Sequence, residues 1–309
     1  IRIYNMFKKT LIAAAVATMA SSVAMADVKI GGKVEQQQQK SEAGEWSGWS
    51  DVRLTVSGDE DLGNGMSAFF MFQDEMGLRT GAGAQQYDQL VGLKSSAGTL
   101  IMGKVEDFTE SKVMSMTDKT MGAGGVEIGA NLGRNEGAIA YVSPSFSGLT
   151  VGVAGYALSA SGGDQDAFDA VDLGLMYSNG PLSVNVAFEN DKRAATAATA
   201  ATAAFDSGDS TSIGASYAAG DLTVAATQQM TSYDTAGKAD EDDTSIAVTY
   251  NMGNNKVVVG WNDNETSAGA TVTDTNSNVI ELQHSFSKTT AAYVQFYNTD
   301  VAAGDTTSF

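Results

Sequence analysis

The feature that most constrains this chain is a two-residue alternation that recurs from Asp27 almost to the end. "VRLTVSG" sets Val52, Leu54 and Val56 on one face and Arg53 and Thr55 on the other. "VDLGLMY" groups Val171, Leu173, Leu175 and Tyr177. "LSVNVAF" sets Leu182, Val184, Val186 and Phe188 against Ser183, Asn185 and Ala187. "LTVAATQ", "SIAVTYN" and "KVVVGWN" repeat the pattern. A period of two means half-buried β-strands, and nothing after Asp27 reads as a long amphipathic helix.

The second face of these strands is small or polar. In a soluble sandwich the inner faces pack a dense core of large apolar groups. Here one face is apolar and the other is wet. Such strands can turn the apolar face to lipid and the polar face to a water-filled lumen. A sheet spanning a bilayer must close, because an open edge leaves unpaired backbone groups in hydrocarbon. The connections also alternate. "SSAG", "SPSFSG", "SNGP", "AAGD" and "NMGNN" are short, whereas 41–48, 77–86, 106–133, 159–168, 190–209, 231–243, 263–277 and 299–305 read as longer polar loops. Short turns on one side and long loops on the other suit an outer-membrane barrel better than a soluble repeat or adhesin.

The alternation places fifteen strands, over about 28–40, 49–58, 65–76, 86–94, 98–105, 134–143, 148–158, 168–178, 181–190, 210–219, 221–230, 244–251, 255–262, 278–286 and 289–298. Bacterial single-chain barrels take an even number, so the expectation is sixteen strands with the last one truncated at "TTSF".

Composition narrows the partners. With no Cys there is no disulfide framework or thiolate metal site. A formal charge of -19 speaks against nucleic acid. "MFKKTLIAAAVATMASSVAMA" has Lys8 and Lys9, an apolar run and a small-residue junction. It reads as a helical signal peptide over 6–26, cleaved between Ala26 and Asp27, preceded by upstream translated sequence at 1–5. The barrel is then 27–309, with 15 basic against 37 acidic residues and a net charge of -22.

The chain resembles the trimeric, sixteen-stranded general porins of Gram-negative bacteria. "VKIGGKVE" looks like that family's first strand, and "VRLTVSGDEDLGNGMSAFFMFQ" like its second strand, turn and third strand. "QLVGLKSSAGTLIMGK" is similar to the run before the pore loop, "RNEGAIAYVSPSFSGLTVGVAGYA" to the segment after it, and "SFSKTTAAYVQFY" to the turn before the last strands. The family's last strand usually ends in Phe. Phe309 instead follows that strand's opening, so the chain reads as a fragment short of its final residues.

The resemblance implies an outer-membrane homotrimer among lipid and lipopolysaccharide, passing small hydrophilic solutes and ions through a water-filled lumen. It implies an inward-folded loop over 106–133, with Glu106, Asp107, Glu110 and Asp118 as its acids and a short helical turn in "EDFTESKVM". It also implies a basic wall opposite, carried by Lys33, Arg53 and Arg134. Strand parity agrees, since a lipid-facing Lys or Arg costs about 2–4 kcal/mol at midplane. Bases are few and the net charge is negative, so the expected preference is weakly for cations.

Other functions find less support. No Gly-x-Ser-x-Gly elbow, zinc motif or phosphate loop is present. The single His284 falls on the lipid-facing parity, which suits interface packing rather than catalysis. A plugged adhesin would need large inner residues, whereas Gly152, Ala154, Gly174, Ser183, Asn185, Ser212, Gly214 and Ser216 are small and favour an open lumen. A substrate-specific channel would use an aromatic track or dense lysines, and Trp46, Trp49 and Trp261 are scattered. No cofactor is expected. The acidic stretches "GGDQDAFD" and "ADEDD" could attract Ca2+ but lack EF-hand spacing and read as solvated loops.

Overall fold

The computed structural model describes residues 27–77, 85–122, 132–157, 167–192, 207–234, 238–268, 271–301 and 306–308. The signal peptide with Ala26, the Ala/Thr stretch 194–205, residues 123–131 and Phe309 lie outside the described residues. Asp27 enters the sheet, its N–H bonding the Asp59 carbonyl at 3.1 Å.

Among the described residues sixteen strands form one antiparallel sheet in chain order. They are β1 Lys29–Lys40, β2 Trp46–Gly63, β3 Met66–Gly77, β4 Gln85–Ser95, β5 Gly98–Glu106, β6 Arg134–Val142, β7 Leu149–Tyr156 and β8 Ala170–Asn179. They continue as β9 Leu182–Asp191, β10 Gly208–Ala219, β11 Leu222–Tyr233, β12 Asp240–Met252, β13 Asn255–Ala268, β14 Thr271–Ser285, β15 Ala291–Val301 and β16 Thr306–Ser308. The sixteenth is a three-residue piece on β15. β1 and β16 are not sheet neighbours. The sheet nevertheless curls into a barrel, because the Tyr293 hydroxyl of β15 bonds Glu35 and Gln37 of β1 at 3.4 and 3.0 Å.

Side chains sort as the alternation requires. Val34, Phe72, Val91, Met102, Ile139, Val153, Leu173, Phe188, Ile213, Ile246, Val259, Ile280 and Phe296 form an exposed outward band around the sheet. His284 lies on this face, bonded to Asn255 at 2.8 Å and set edge-on to Phe286. No described helix is long and apolar enough to cross a membrane, which says nothing of strands.

Three connections differ from expectation. Residues 263–277 are strand rather than the expected loop over most of their length: β13 runs on to Ala268 and β14 begins at Thr271. The "ADEDD" stretch is likewise the start of β12, not a loop. The connection expected between the strands at 49–58 and 65–76 shrinks to a two-residue turn, because β2 continues to Gly63 and β3 starts at Met66. Asn64 and Gly65 take φ of 54° and 75°, the double left-handed geometry that suits a tight hairpin. In each case polar residues fill the strand there, broken only by single apolar residues such as Leu62 and Val272, so no apolar period marks it.

Candidate pore constriction

Residues 107–122 leave the end of β5 and cross the inner face of the barrel. Their start is tied down by carboxylates that accept backbone N–H groups. Asp107 accepts from Glu110 at 2.6 Å and also from Gly133. Asp172 of β8 accepts from Phe108 at 2.5 Å, and Glu189 of β9 from Leu132 at 3.3 Å. Thr109–Val113 then makes one wide helical turn and Met114–Met116 a tight one. Burial pushes the Asp107 carboxyl well above its ordinary range, with the nearby Glu189 charge adding to the effect.

The crossing is fitted to the wall. Phe108 lies on Gly152 and Gly174, paired residues of β7 and β8, where an added Cβ would sit 2.3 and 2.8 Å from its ring. Met116 packs on Gly214 of β10 in the same way. Asn185 donates to the Lys112 carbonyl at 2.6 Å, and the Thr117 and Thr227 hydroxyls meet at 3.1 Å. On the far side Gln283 donates to the Lys119 carbonyl at 3.2 Å. The tip ends on Glu281 of β14, which is fully buried and accepts the Met121 and Gly122 N–H groups at 2.8 and 2.9 Å. Gln295 donates to the same carboxylate at 3.0 Å.

A charged shelf lies on β1–β6. Lys33 and Arg53 stand directly opposite one another on β1 and β2. Lys33 pairs with Glu35. The Arg53 guanidinium donates twice to one Glu75 oxygen, from Nε at 2.8 Å and Nη2 at 2.5 Å. Arg134 pairs with Glu106, with Asp88 at 3.4 Å and with Glu110 at 3.4 Å. Both guanidinium groups also stack on Tyr87, their carbons 3.8 and 4.3 Å from the ring centre.

The expected residues therefore fall in different places. Arg53, Arg134, Glu106 and Glu110 come together with neighbours that sequence reading missed, namely Glu75, Tyr87 and Asp88. The loop acids Glu106 and Glu110 do not stand across a gap from Arg134 but bond it directly, because Glu106 and Arg134 are paired residues of adjacent strands. Asp107 supplies no charge to the lumen, since its side chain is wholly buried under the loop. Asp118 lies nearer the tip, where burial raises its carboxyl while Lys119 and Lys33 pull the other way. Burial lowers the Lys119 ammonium, which Asp118 opposes. Among the described residues no three His, Asp or Glu side chains stand close enough to hold a metal ion.

A β-bulge explains why Tyr87 escaped notice. Gln86 pairs with Asp74 and Gln89 with Phe72, so β4 holds one residue more than β3 there. Simple alternation from exposed Val91 would turn Tyr87 to lipid. The extra residue lets adjacent Tyr87 and Asp88 both reach Arg134.

A polar-lined barrel with an apolar exterior and a segment laid across its inner wall is the architecture of an outer-membrane β-barrel protein. A family model described as Gram-negative porin matches residues 13–304, and the chain belongs to that family. Its place is the cell outer membrane. An outer membrane porin protein of Bordetella pertussis is 30% identical over 161 residues, 44% of this chain and 41% of that one. The chain spans about half the length of the curated relatives it matches. An anion-selective porin from Comamonas acidovorans superposes with a TM-score of 0.75 at 20% identity, over 92% of this chain and 97% of that one. The trimer form of the Vibrio cholerae outer membrane protein OmpT gives 0.69 at 15% identity, over 91% and 96%.

Proposed function

We propose that the protein is a passive diffusion channel for small hydrophilic solutes and ions, weakly preferring cations and acting as a homotrimer among outer-membrane lipid and lipopolysaccharide. It performs no covalent chemistry. The observation that carries this reading is the charged shelf facing the residue 107–122 crossing. Two arginines there meet four carboxylates, Glu75, Asp88, Glu106 and Glu110. Lys33 and Glu35 cancel. The shelf is thus net negative, and a narrow low-dielectric passage magnifies such an excess. The Comamonas protein is an anion-selective porin. The shelf argues for the opposite sign here. The trimer rests on the resemblance and on the OmpT structure.

Planar-bilayer recording in a KCl gradient tests this. Ohmic steps with a reversal potential on the cation side are expected. Arg53→Gln should move that potential further toward cations, and Glu75→Gln toward anions. A reversal potential on the anion side, or indifference to both changes, would overturn the cation preference, and absence of conductance would overturn the channel.

A further inference from the structure

Arg53 and Arg134 start on β2 and β6, each two strands away from β4. Like charges repel, yet these two converge on the same ring. The carboxylates explain only part of this, because they hold the guanidinium edges: Glu75 on one side, Glu106, Asp88 and Glu110 on the other. The faces remain. A guanidinium is weakly hydrated on its faces and is attracted by the negative face of an aromatic ring. Tyr87 supplies that ring, and Arg53, which Glu75 grips at its edge, lies over it. Arg53 and Arg134 remain only about one-quarter exposed. The strand irregularity that brings the ring inward is a single extra residue in β4.

We propose that Tyr87 is a positioning residue for ion selectivity: it holds Arg53 and Arg134 flat against the wall, so that permeating ions meet the surplus carboxylates rather than two free cations. This rests on the channel reading above. Without the ring the two long side chains would swing into the passage, bringing positive charge forward and weakening the preference for cations.

The test is the reversal potential of the full chain reconstituted in planar bilayers, comparing Tyr87→Phe, Tyr87→Leu and Tyr87→Ala. Phe keeps the ring and should hold the unaltered cation-to-anion permeability ratio. Leu and Ala should lower it by roughly two- to fivefold, the range of one partly exposed cation–π contact. On an Arg53→Gln, Arg134→Gln background, Tyr87→Leu should add nothing, a coupling that loss of packing alone would not produce. The proposal is overturned if Leu and Ala keep the ratio while Arg53→Gln changes it, or if Leu acts equally with the arginines absent. Should Arg53→Gln itself have no effect, the selectivity reading falls together with this one.

Discussion

Phe108 and its two glycines show what a single position can decide. The small inner residues of β7–β10 suit an open lumen, but Gly152, Gly174 and Gly214 are covered by Phe108 and Met116. They are small because something lies on them. Gly174→Val should push the ring out of its seat and cost about 1–3 kcal/mol of loop docking, as overpacking does. Faster proteolytic nicking within 107–122, with the sheet intact by circular dichroism, would register it. The sequence could not reveal this, since a glycine facing water and a glycine facing a phenyl ring look alike. Tyr87 was hidden for a different reason, because one extra residue in β4 inverts the parity from which its direction would be read. Arg53 was legible, because the turns of parity around it are regular and a charge among Val52, Leu54 and Val56 can only face inward.

At the level of elements, the fifteen alternating segments were legible wherever one face touches lipid. They faded where strands rise beyond the apolar band, as in β12–β14. There Asp242, Glu265 and Asp274 stand directly opposite one another in successive strands. Like charges so placed repel. Glu265→Lys should therefore stabilise the barrel by about 0.2–1 kcal/mol for each of the two new pairs, read as a higher urea midpoint at low salt, with the gain shrinking at high salt. The loop root carries a pH dependence. Burial raises the Asp107 carboxyl, so the docked loop binds a proton that the free loop releases. Docking is at full strength in acid below the ordinary value of 3.8 and weakens as pH climbs through the raised one. Hydrogen exchange at the Glu110 and Gly133 amides, corrected for intrinsic rate, should show protection falling as the pH rises above the ordinary carboxylate value. Asp107→Asn should lessen that slope.

For the whole molecule, the outward band predicts how the barrel tolerates charge. Ile213, exposed on the outer face in the middle of β10, should cost about 2–4 kcal/mol of bilayer folding stability when changed to Arg. The same change at inward-facing Ser216 should cost far less. The comparison is made by urea titration in lipid vesicles, and equal penalties would mean that the two faces are misassigned. The segment 107–122 has a mechanical side as well. It is fastened where it leaves β5, to Asp172 and Asn185 along the way, and to Glu281 near the opposite edge. It is a chord strung across a hoop. A bare hoop ovalises readily when squeezed, whereas a chord stiffens it along one diameter and leaves the perpendicular one soft. Lateral pressure in the membrane would thus deform this barrel unequally, sparing the span between β5 and β14 and changing the width beside it.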